Sequence, residues 1–514
     1  MCTLLSQQDR IPNKRKIDLD DEFDSTKNYD HVRQKKKSNV LMMQHPLGIK
    51  PWGNYYLDQS NNNFKGDCRG SSLGNLAILT DDLILEILGI FDARDLLSLG
   101  LTSKVLYCFS TFDDLWKQLI IKKYNGDWYW QGTWKLTYLK RSCKEYYLEP
   151  VSNYKKSTIQ LSNFYSDTLF QPFLCSSTGM EAYLGVENID RRSNLELSDF
   201  IREYAIPNKP VIITDVVTKW PASKKWNMEY LVEKYGNVLF RAEAIDIKLN
   251  NYASYYKNTM DESPLYLFDK EFCKKCDGID DDFSVPEYFE EDFFSVLGEN
   301  RPDYRWLIIG PAHSGSTFHK DPNSTSAWNA VITGSKKWIM YPPDILPPGV
   351  FTSADEAEVT SPVSIMEWHL NFYKETQKSK PRPLEGICKE GEIIFVPNGW
   401  WHMVINLEDS IAITQNFVGT WNLKNVLLFL RDKPHQISGF SNLVWPNSED
   451  IYNDFCVKFK KFYPGILEKL ELDNNEDEKR EKNKKRSSLW EQLKRRDGQE
   501  ERKGFTFGIL VDDE

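Results

Sequence analysis

The stretch STFHKDPNSTSAWNAVITGSKKWIMYPP, residues 316–343, combines a histidine–aspartate pair with two apolar runs. Its second part, SAWNAVITGSKKWIMYPP, predicts two β-strands joined by a hairpin turn at Gly334-Ser335. In an extended chain, residues two positions apart point to the same side, so His319 and Asp321 offer an imidazole and a carboxylate to one point. The pair supplies part of a metal site, and the rest of the chain decides whether that site is complete.

Further strands are expected on both sides of this stretch. KPVIITDVV (209–217) and YRWLIIG (304–310) are apolar and rich in β-branched residues. GEIIFVPNGWWHMVINLEDSIAITQNFVG (391–419) predicts two or three strands separated by PNG and LEDS. Closely spaced antiparallel strands are typical of a barrel or a double-sheet jelly roll. Residues 180–425 are therefore expected to be mixed and mainly β, and the expected fold class is α+β with a barrel or jelly-roll core.

A third metal ligand is expected at His402, which follows the turn PNG at the start of a strand. Two of the other histidines fall in the polar N-terminal segment, and His435 lies beyond the strands. Two histidines and one carboxylate on one face of an octahedral ion leave the opposite face open, which is typical of non-haem Fe(II) oxygenases. The pattern therefore indicates that His319, Asp321 and His402 bind Fe(II).

An oxygenase centre of this type needs a two-electron co-substrate, and a lysine pair indicates which one. Strand alternation puts Lys336 and Lys337 on opposite faces, and we expect Lys336 inside the barrel and Lys337 exposed. A buried unpaired ammonium costs several kcal/mol. Lys336 is therefore expected to bind an anion such as the far carboxylate of 2-oxoglutarate. Asn329 and Thr414 are spaced to add an amide and a hydroxyl to the same ligand.

Residues 71–145 predict a helical module in front of the strands. LTDDLILEILGIFDARDLLSLGLTSKVLYCFSTFDDLWKQL (79–119) has leucines at helical spacing, and Thr80, Asp92 and Ser103 are expected N-caps of three short helices. One apolar face is expected on the first helix, formed by Leu83, Ile84, Ile87 and Leu88. The pattern resembles an F-box, except that a threonine replaces the usual proline near its start. The resemblance implies binding to the Skp-type adaptor of an SCF ubiquitin ligase; the alternative is a bundle that only packs on its neighbour.

The two richest motifs, FHKDPNSTSAWNAVITGSKKWIMYPP and GEIIFVPNGWWHMVINLEDSIAITQNF, resemble the jumonji-C family. The nearest branch of that family contains the protein lysyl hydroxylases and arginine demethylases once called phosphatidylserine receptors. DESPLYLFD (261–269) and RPDYRWLIIGPAHSGSTFHKDP (301–322) extend the resemblance over residues 180–430. It implies a double-stranded β-helix that uses Fe(II), 2-oxoglutarate and O2.

Carried over position by position, the resemblance implies a role for each site residue. His319, Asp321 and His402 match the iron ligands. The residues that match positions holding 2-oxoglutarate are Tyr266, Ser316, Asn329, Lys336 and Thr414. Ser316 stands where the branch carries a threonine, so the hydroxyl is retained. The implied reaction is hydroxylation of a protein side chain or demethylation of an N-methylated lysine or arginine, with histones among the candidate substrates, and the residues do not choose between the two.

Charge and composition set the expectations for partners and location. A net charge of -10 and a pI of about 5.5 argue against direct nucleic-acid binding, and the sequence has no run of 18 apolar residues that could span a membrane. Residues 1–70 are expected to form a disordered polar tail, and 431–514 a helical extension with a charged tail. Four basic clusters are either nuclear import signals or parts of solvated tails, so the expected location is nuclear, cytoplasmic or both. They are NKRK (13–16), RQKKKS (33–38), DEKREKNKKR (477–486) and KRR (494–496).

Three functions are open on this evidence. The first is an oxygenase that acts on a protein substrate. The second is an F-box substrate adaptor whose barrel serves mainly to bind a partner, and the third is a chromatin-bound regulator without turnover. The complete His319, Asp321 and His402 set, together with Lys336, favours the first function.

Overall fold

The computed structural model describes residues 44–61, 64–142 and 159–470. The four basic clusters named above lie outside these ranges. Among the described helices, none combines the length and the apolar character needed to cross a membrane. The α-helices are, in chain order, α1 Gly53–Asp58, α2 Arg69–Leu73, α3 Asp81–Leu88, α4 Ala93–Gly100, α5 Lys104–Ser110, α6 Asp113–Tyr124, α7 Trp134–Ser142, α8 Asp167–Ser177, α9 Leu197–Phe200, α10 Ala222–Lys225, α11 Met228–Tyr235, α12 Leu249–Tyr256, α13 Phe272–Lys275, α14 Ile365–Thr376, α15 Leu423–Asp432 and α16 Glu449–Phe462.

The strands form two main sheets and one short pair. Their bounds are β1 Asp190–Arg192, β2 Val211–Ile213, β3 Leu239–Ala242, β4 Ile245–Lys248, β5 Leu267–Asp269, β6 Arg305–Gly310, β7 Gly315–His319, β8 Ser326–Thr333, β9 Ser335–Tyr341, β10 Phe351–Thr352, β11 Val359–Thr360, β12 Leu384–Lys389, β13 Ile393–Val396, β14 Trp401–Asn406 and β15 Ser410–Phe417. The larger sheet has nine strands in the order β1-β2-β13-β8-β15-β6-β5-β3-β4, the smaller has four in the order β12-β9-β14-β7, and β10 pairs with β11. All these pairings are antiparallel except that of β1 with β2.

The two sheets face one another across an apolar core. Val331 and Ile394 of the larger sheet share this core with Trp338, Met340 and Val404 of the smaller one. Alternate residues of the same strands point away from it, as the two-residue period of a strand requires. The expected α+β class with a double-sheet jelly-roll core is confirmed.

The turn at Gly334 does not close a hairpin, and that expectation was wrong. β8 pairs with β13 and β15 in the larger sheet, whereas β9 pairs with β12 and β14 in the smaller one. Nearly every residue of both strands is buried, which a two-stranded hairpin could not achieve. Gly334, with a φ of 83°, lets the chain pass from one sheet to the other, and a Cβ there would clash with the carbonyl oxygen of Asp409. Asn329 and Lys336 therefore come from different sheets.

The predicted helix caps in the N-terminal module are confirmed. The side chains of Thr80, Asp92 and Ser103 each accept a backbone N–H at the start of α3, α4 and α5. A side-chain acceptor at this position satisfies one of the amides that the first turn leaves without a partner. These caps explain why short segments form separate helices.

The expected single apolar face of α3 is divided between the core and the surface. Ile84 and Leu88 are 1% and 2% exposed, whereas Leu83 and Ile87 are 46% and 40% exposed. Residues four apart lie above one another on a helix, so Ile84 and Leu88 lie on the buried side and Leu83 and Ile87 on the exposed side. The outer pair leaves apolar side chains on the surface.

The helical module packs directly on the jelly roll. Trp134 of α7 lies against Tyr255 of α12, with ring centroids 5.6 Å apart, and its indole N–H donates to Asp261 Oδ2 at 2.8 Å. Both aromatic residues belong to one apolar core that also contains Trp328 and Ile413 of the larger sheet. In the segment expected to be a polar tail, residues 53–58 form α1. The domain boundaries drawn from the sequence stay predictions.

Candidate metal centre

The three predicted iron ligands lie together at one edge of the smaller sheet. His319 ends β7 and faces His402 across the antiparallel pairing with β14, and Asp321 follows two residues after His319. Their candidate ligand atoms all lie within 4.8 Å of one another. Among the residues that the structure describes, no other group of three or more His, Cys, Asp or Glu side chains meets this criterion. That these side chains bind metal stays a prediction, and their geometry suits it.

The backbone fixes both imidazole rings in the orientation that metal binding requires. His319 Nδ1 lies 2.8 Å from the carbonyl oxygen of Thr317, and His402 Nδ1 lies 3.0 Å from that of Trp400. A carbonyl only accepts hydrogen bonds, so each Nδ1 carries the proton and each Nε2 keeps its lone pair. Such outer contacts are typical of metal-binding histidines.

The surroundings of the three side chains are of low polarity. Burial lowers the pKa of His402 well below its usual value, and the neighbouring His319 acts in the same direction. Burial also raises the pKa of Asp321, which His319 and the amide of Asn416 oppose. The ring of Trp338 lies against His402, with centroids 5.8 Å apart and planes tilted by 30°. A divalent cation would supply the positive charge that this partly buried carboxylate needs.

Lys336 faces the space between the sheets, as expected. It lies on β9 on the same side as Trp338 and is fully buried. Its Nζ donates to Tyr266 Oη at 2.9 Å and to Asn406 Oδ1 at 2.7 Å. Burial lowers the pKa of Lys336 to about 7. A buried amino group that contacts only neutral partners is suited to pair with an incoming carboxylate.

The other predicted co-substrate residues lie on the same inner faces, with different hydrogen bonding. Asn329 of β8 is directly opposite Thr414 of β15, and the Asn329 carboxamide oxygen is buried without a hydrogen-bond partner among the described residues. The Thr414 hydroxyl donates to the carbonyl oxygen of Trp328 at 2.9 Å, so it must give up this bond to donate to a ligand. A bulge in β7 pairs Ser316 with Val404, which turns Ser316 towards the inner face.

Sequence reasoning missed two asparagines in the site. Asn406, the last residue of β14, is fully buried and accepts from Lys336. Asn416 of β15 lies near Asp321 and donates to the Thr325 hydroxyl at 2.8 Å. Asn406 comes four residues after His402 on β14, and Asn416 comes two residues after Thr414 on β15. An even spacing along a strand puts side chains on the same face, and this could have identified both asparagines from the sequence.

Lys337 corrects another expectation. It points away from the inner face, as predicted, but it is fully buried instead of exposed. Its Nζ lies 2.9 Å from Glu385 Oε2 and donates to the carbonyl oxygen of Val186 at 2.7 Å. Helix α14 and the segment before β1 cover this side of the smaller sheet, and Tyr373 of α14 donates to Glu385 at 3.1 Å. The ion pair compensates for the burial of the charge.

The residues present fit an Fe(II) ion and a dicarboxylate co-substrate. Two imidazole nitrogens and one carboxylate form the donor set that this ion uses in oxygenases. The unpartnered amide oxygen of Asn329 and the amino group of Lys336 mark the neighbouring space as polar inside an otherwise apolar core.

Comparison with known families agrees with this geometry. A family model described as a cupin-like domain matches residues 197–420. This range contains β2 to β15, and therefore every residue assigned to the site.

Three named relatives are similar over different shares of the chain. The arginine-specific demethylase JMJ22 of Arabidopsis thaliana is 44% identical over 451 residues, which cover 87% of this chain and 87% of the relative. The bifunctional arginine demethylase and lysyl-hydroxylase psr-1 of Caenorhabditis elegans is 38% identical over 244 residues, or 45% of this chain and 61% of the relative. The human 2-oxoglutarate and iron-dependent oxygenase JMJD4 is 30% identical over 311 residues, or 52% and 71%.

Proposed function

The chain belongs to the cupin-like, jumonji-C family of iron- and 2-oxoglutarate-dependent oxygenases, and from this premise we propose that it demethylates N-methylated arginine in a protein. The observation that supports the catalytic class is the His319, Asp321 and His402 cluster, of which His402 shares the inner face of the smaller sheet with the buried Lys336. The similarity to an arginine-specific demethylase over 87% of both chains supports the choice of arginine.

Each of the three clustered side chains would supply one ligand atom to the metal. Nε2 of His319, Nε2 of His402 and the carboxylate of Asp321 would hold Fe(II) from one side. When bound, Fe(II) supplies the chemistry that uses O2 and 2-oxoglutarate to hydroxylate a C–H bond, with succinate and CO2 as co-products. A hydroxylated N-methyl group then breaks down to formaldehyde and the demethylated nitrogen.

The co-substrate would be oriented by the inner faces of both sheets. Lys336 would pair with the far carboxylate, with the hydroxyl of Tyr266 beside it. Asn329, Thr414 and Ser316 would contribute amide and hydroxyl groups from the neighbouring strands. The apolar core around these groups excludes water, which strengthens each charged contact.

Mass spectrometry of peptide substrates tests the proposal. Purified full-length protein is incubated with Fe(II), 2-oxoglutarate and peptides that carry methylated arginine, methylated lysine or unmodified lysine. The expected result is loss of one CH2 mass from the methyl-arginine peptide, together with formaldehyde. Gain of one oxygen mass on the unmodified lysine peptide would instead assign lysyl hydroxylation, which the similarity to psr-1 makes the second outcome. No change in any peptide, despite succinate formation, would overturn the assignment of these substrates.

We further propose that the exposed part of the helical module binds a Skp-type adaptor. This surface is formed by Leu83, Ile87 and Ile90, of which Ile90 is 83% exposed. Exposed apolar side chains grouped on one helix and the turn after it are suited to bind a partner. The comparisons do not support the reading of the whole chain as an adaptor, so adaptor binding would accompany the oxygenase activity.

A nuclear location is proposed from the basic clusters at 13–16, 33–38, 477–486 and 494–496, which lie outside the described residues. Imaging of a fluorescent fusion, with and without alanine at each cluster, tests it. Equal distribution of all variants between nucleus and cytoplasm would contradict an import signal.

A further inference from the structure

The carboxamide of Asn406, at the end of β14, has a fixed orientation next to Lys336. Its Nδ2 donates to Ser314 Oγ at 2.8 Å and to the carbonyl oxygen of Gly310 at 3.3 Å. Because Ser314 uses its own proton on the carbonyl oxygen of Pro311, it accepts from Asn406. The amide therefore cannot flip, and Oδ1 must face Lys336.

The loop before β7 also holds the backbone of Asn406. The Asn406 N–H donates to the carbonyl oxygen of Ser314 at 2.8 Å, and the Asn406 carbonyl accepts from His313 N–H at 2.8 Å. β14 and β9 pair Asn406 directly with Lys336. Both the position and the direction of the acceptor are therefore set by groups other than the lysine that it contacts.

The groups around Lys336 are all neutral. The amino group faces Tyr266, which precedes β5, and Cys388, which lies on β12 opposite Lys336. Burial raises the pKa of both side chains. Neither ionises near neutral pH for that reason. In the part of the chain that the structure describes, no carboxylate lies within ion-pair distance of Lys336 Nζ. A charged Lys336 therefore has hydrogen bonds but no counter-ion.

We propose that Asn406 is a positioning residue for 2-oxoglutarate, because its uncharged oxygen aims the Lys336 amino group while leaving its charge for the co-substrate carboxylate. The inference rests on the proposed function of the site. It differs from the role of Lys336 itself, since Asn406 acts through the lysine. An aspartate at position 406 would still accept the hydrogen bond from Lys336, but its negative charge would neutralise the lysine.

Proton uptake follows from this arrangement. The pKa of Lys336 is lowered to about 7 without a counter-ion, and a bound carboxylate raises it. Above about pH 7, 2-oxoglutarate binding must then take up a proton, and its affinity falls by up to about tenfold per pH unit. Below that pH the amino group is already charged, so the affinity levels off.

Calorimetric titration of 2-oxoglutarate into Mn(II)-loaded protein tests the proposal without turnover. For the wild type we expect uptake of about one proton near pH 8.5, measured from two buffers of different ionisation enthalpy, and little uptake near pH 6. For Asn406→Asp we expect Kd for 2-oxoglutarate to rise about tenfold or more, with a flattened pH dependence. At saturating 2-oxoglutarate, kcat should change far less than KM.

Asn422→Asp is the matched control. Asn422 is also a fully buried asparagine, and its Oδ1 accepts from Gly419 N–H at 2.8 Å away from Lys336. This variant should lose stability yet keep the wild-type Kd and proton uptake. If wild-type binding takes up no proton at any pH, or Asn406→Asp binds as the wild type does, the proposal fails while the oxygenase assignment stands. Failure of the wild type to bind 2-oxoglutarate at all would contradict the proposed function itself. If Asn406→Asp does not fold, the proton uptake measured for the wild type still tests the inference.

Discussion

His319 and His402 lie directly opposite one another across the pairing of β7 with β14, and their ring centroids are 4.2 Å apart. Each Nδ1 is bound by a backbone carbonyl, so both Nε2 atoms are free to bind one ion. Burial of His402, together with the neighbouring His319, holds the pKa of the His402 imidazole well below its usual value. The neutral form of His402 that this favours is the form that binds a metal.

Lys336→Ala should weaken 2-oxoglutarate binding more than it affects the rate at saturation. The substitution removes a charged hydrogen bond worth about 1.5–3 kcal/mol, which corresponds to a rise in KM of about 10- to 150-fold. Titration of 2-oxoglutarate in a succinate assay measures it. An unchanged KM would show that Lys336 does not contact the co-substrate.

Lys337→Ala should act on stability instead. It leaves Glu385 buried without its partner, since both side chains are at most 1% exposed, and breaking such a pair costs about 3–5 kcal/mol. Chemical denaturation measures the loss. The paired change Lys337→Met with Glu385→Leu should recover most of it, because apolar residues of similar size replace a buried ion pair at little cost. A fully stable Lys337→Ala variant would contradict the observed ion pair.

His369 of α14 should make the fold sensitive to acid. Burial lowers its pKa from 6.5 to about 4, and its Nε2 has no hydrogen-bond partner among the described residues. Between these two pH values the unfolded chain binds a proton that the folded chain excludes, so the free energy of unfolding falls as the pH falls, by roughly 3 kcal/mol in total.

The variant His369→Phe isolates this contribution. Phenylalanine keeps the contacts with Tyr183 and Tyr373 but cannot be protonated. The difference in unfolding free energy between wild type and variant should therefore change between about pH 6.5 and about pH 4 and stay constant above that window. A constant difference over the whole range would contradict the buried, neutral histidine.

Leu83→Asp combined with Ile87→Asp should end binding to a Skp-type adaptor and leave oxygenase activity unchanged. Both side chains are exposed, so the charges cost little stability. Ile84→Asp is the contrasting variant, because Ile84 is buried and the substitution should unfold the module. A pull-down with purified adaptor measures binding. If the unmodified chain does not bind, the helices serve only to pack on the jelly roll.

Much of the site could be predicted because strand alternation is a local property. The directions of His319 and Lys336 follow from alternation along β7 and β9, and the structure places both on the inner face. Asp321 follows two residues after His319 and lies with it, as expected. The helix caps at Thr80 and Asp92 were predictable for the same reason, since a cap depends on the next three residues.

The errors concern contacts between distant segments. Lys337 was expected to be exposed because parity gives a direction but not what covers that face, and here α14 covers it. The Gly334 turn was expected to form a hairpin because adjacent apolar strands do not reveal which sheet each one joins. Asn406 was missed because its role depends on its pairing with Lys336 from another part of the chain.

The most direct test of the central claim is Fe(II)-dependent succinate formation by the purified chain and by His402→Ala. With 2-oxoglutarate and O2 supplied, the wild type should form succinate only when Fe(II) is added, even without a protein substrate. His402→Ala should form none above background while its circular dichroism spectrum stays that of the wild type. Equal succinate formation by the variant, or formation by the wild type that does not depend on Fe(II), would contradict the assignment of His319, Asp321 and His402 as the metal centre.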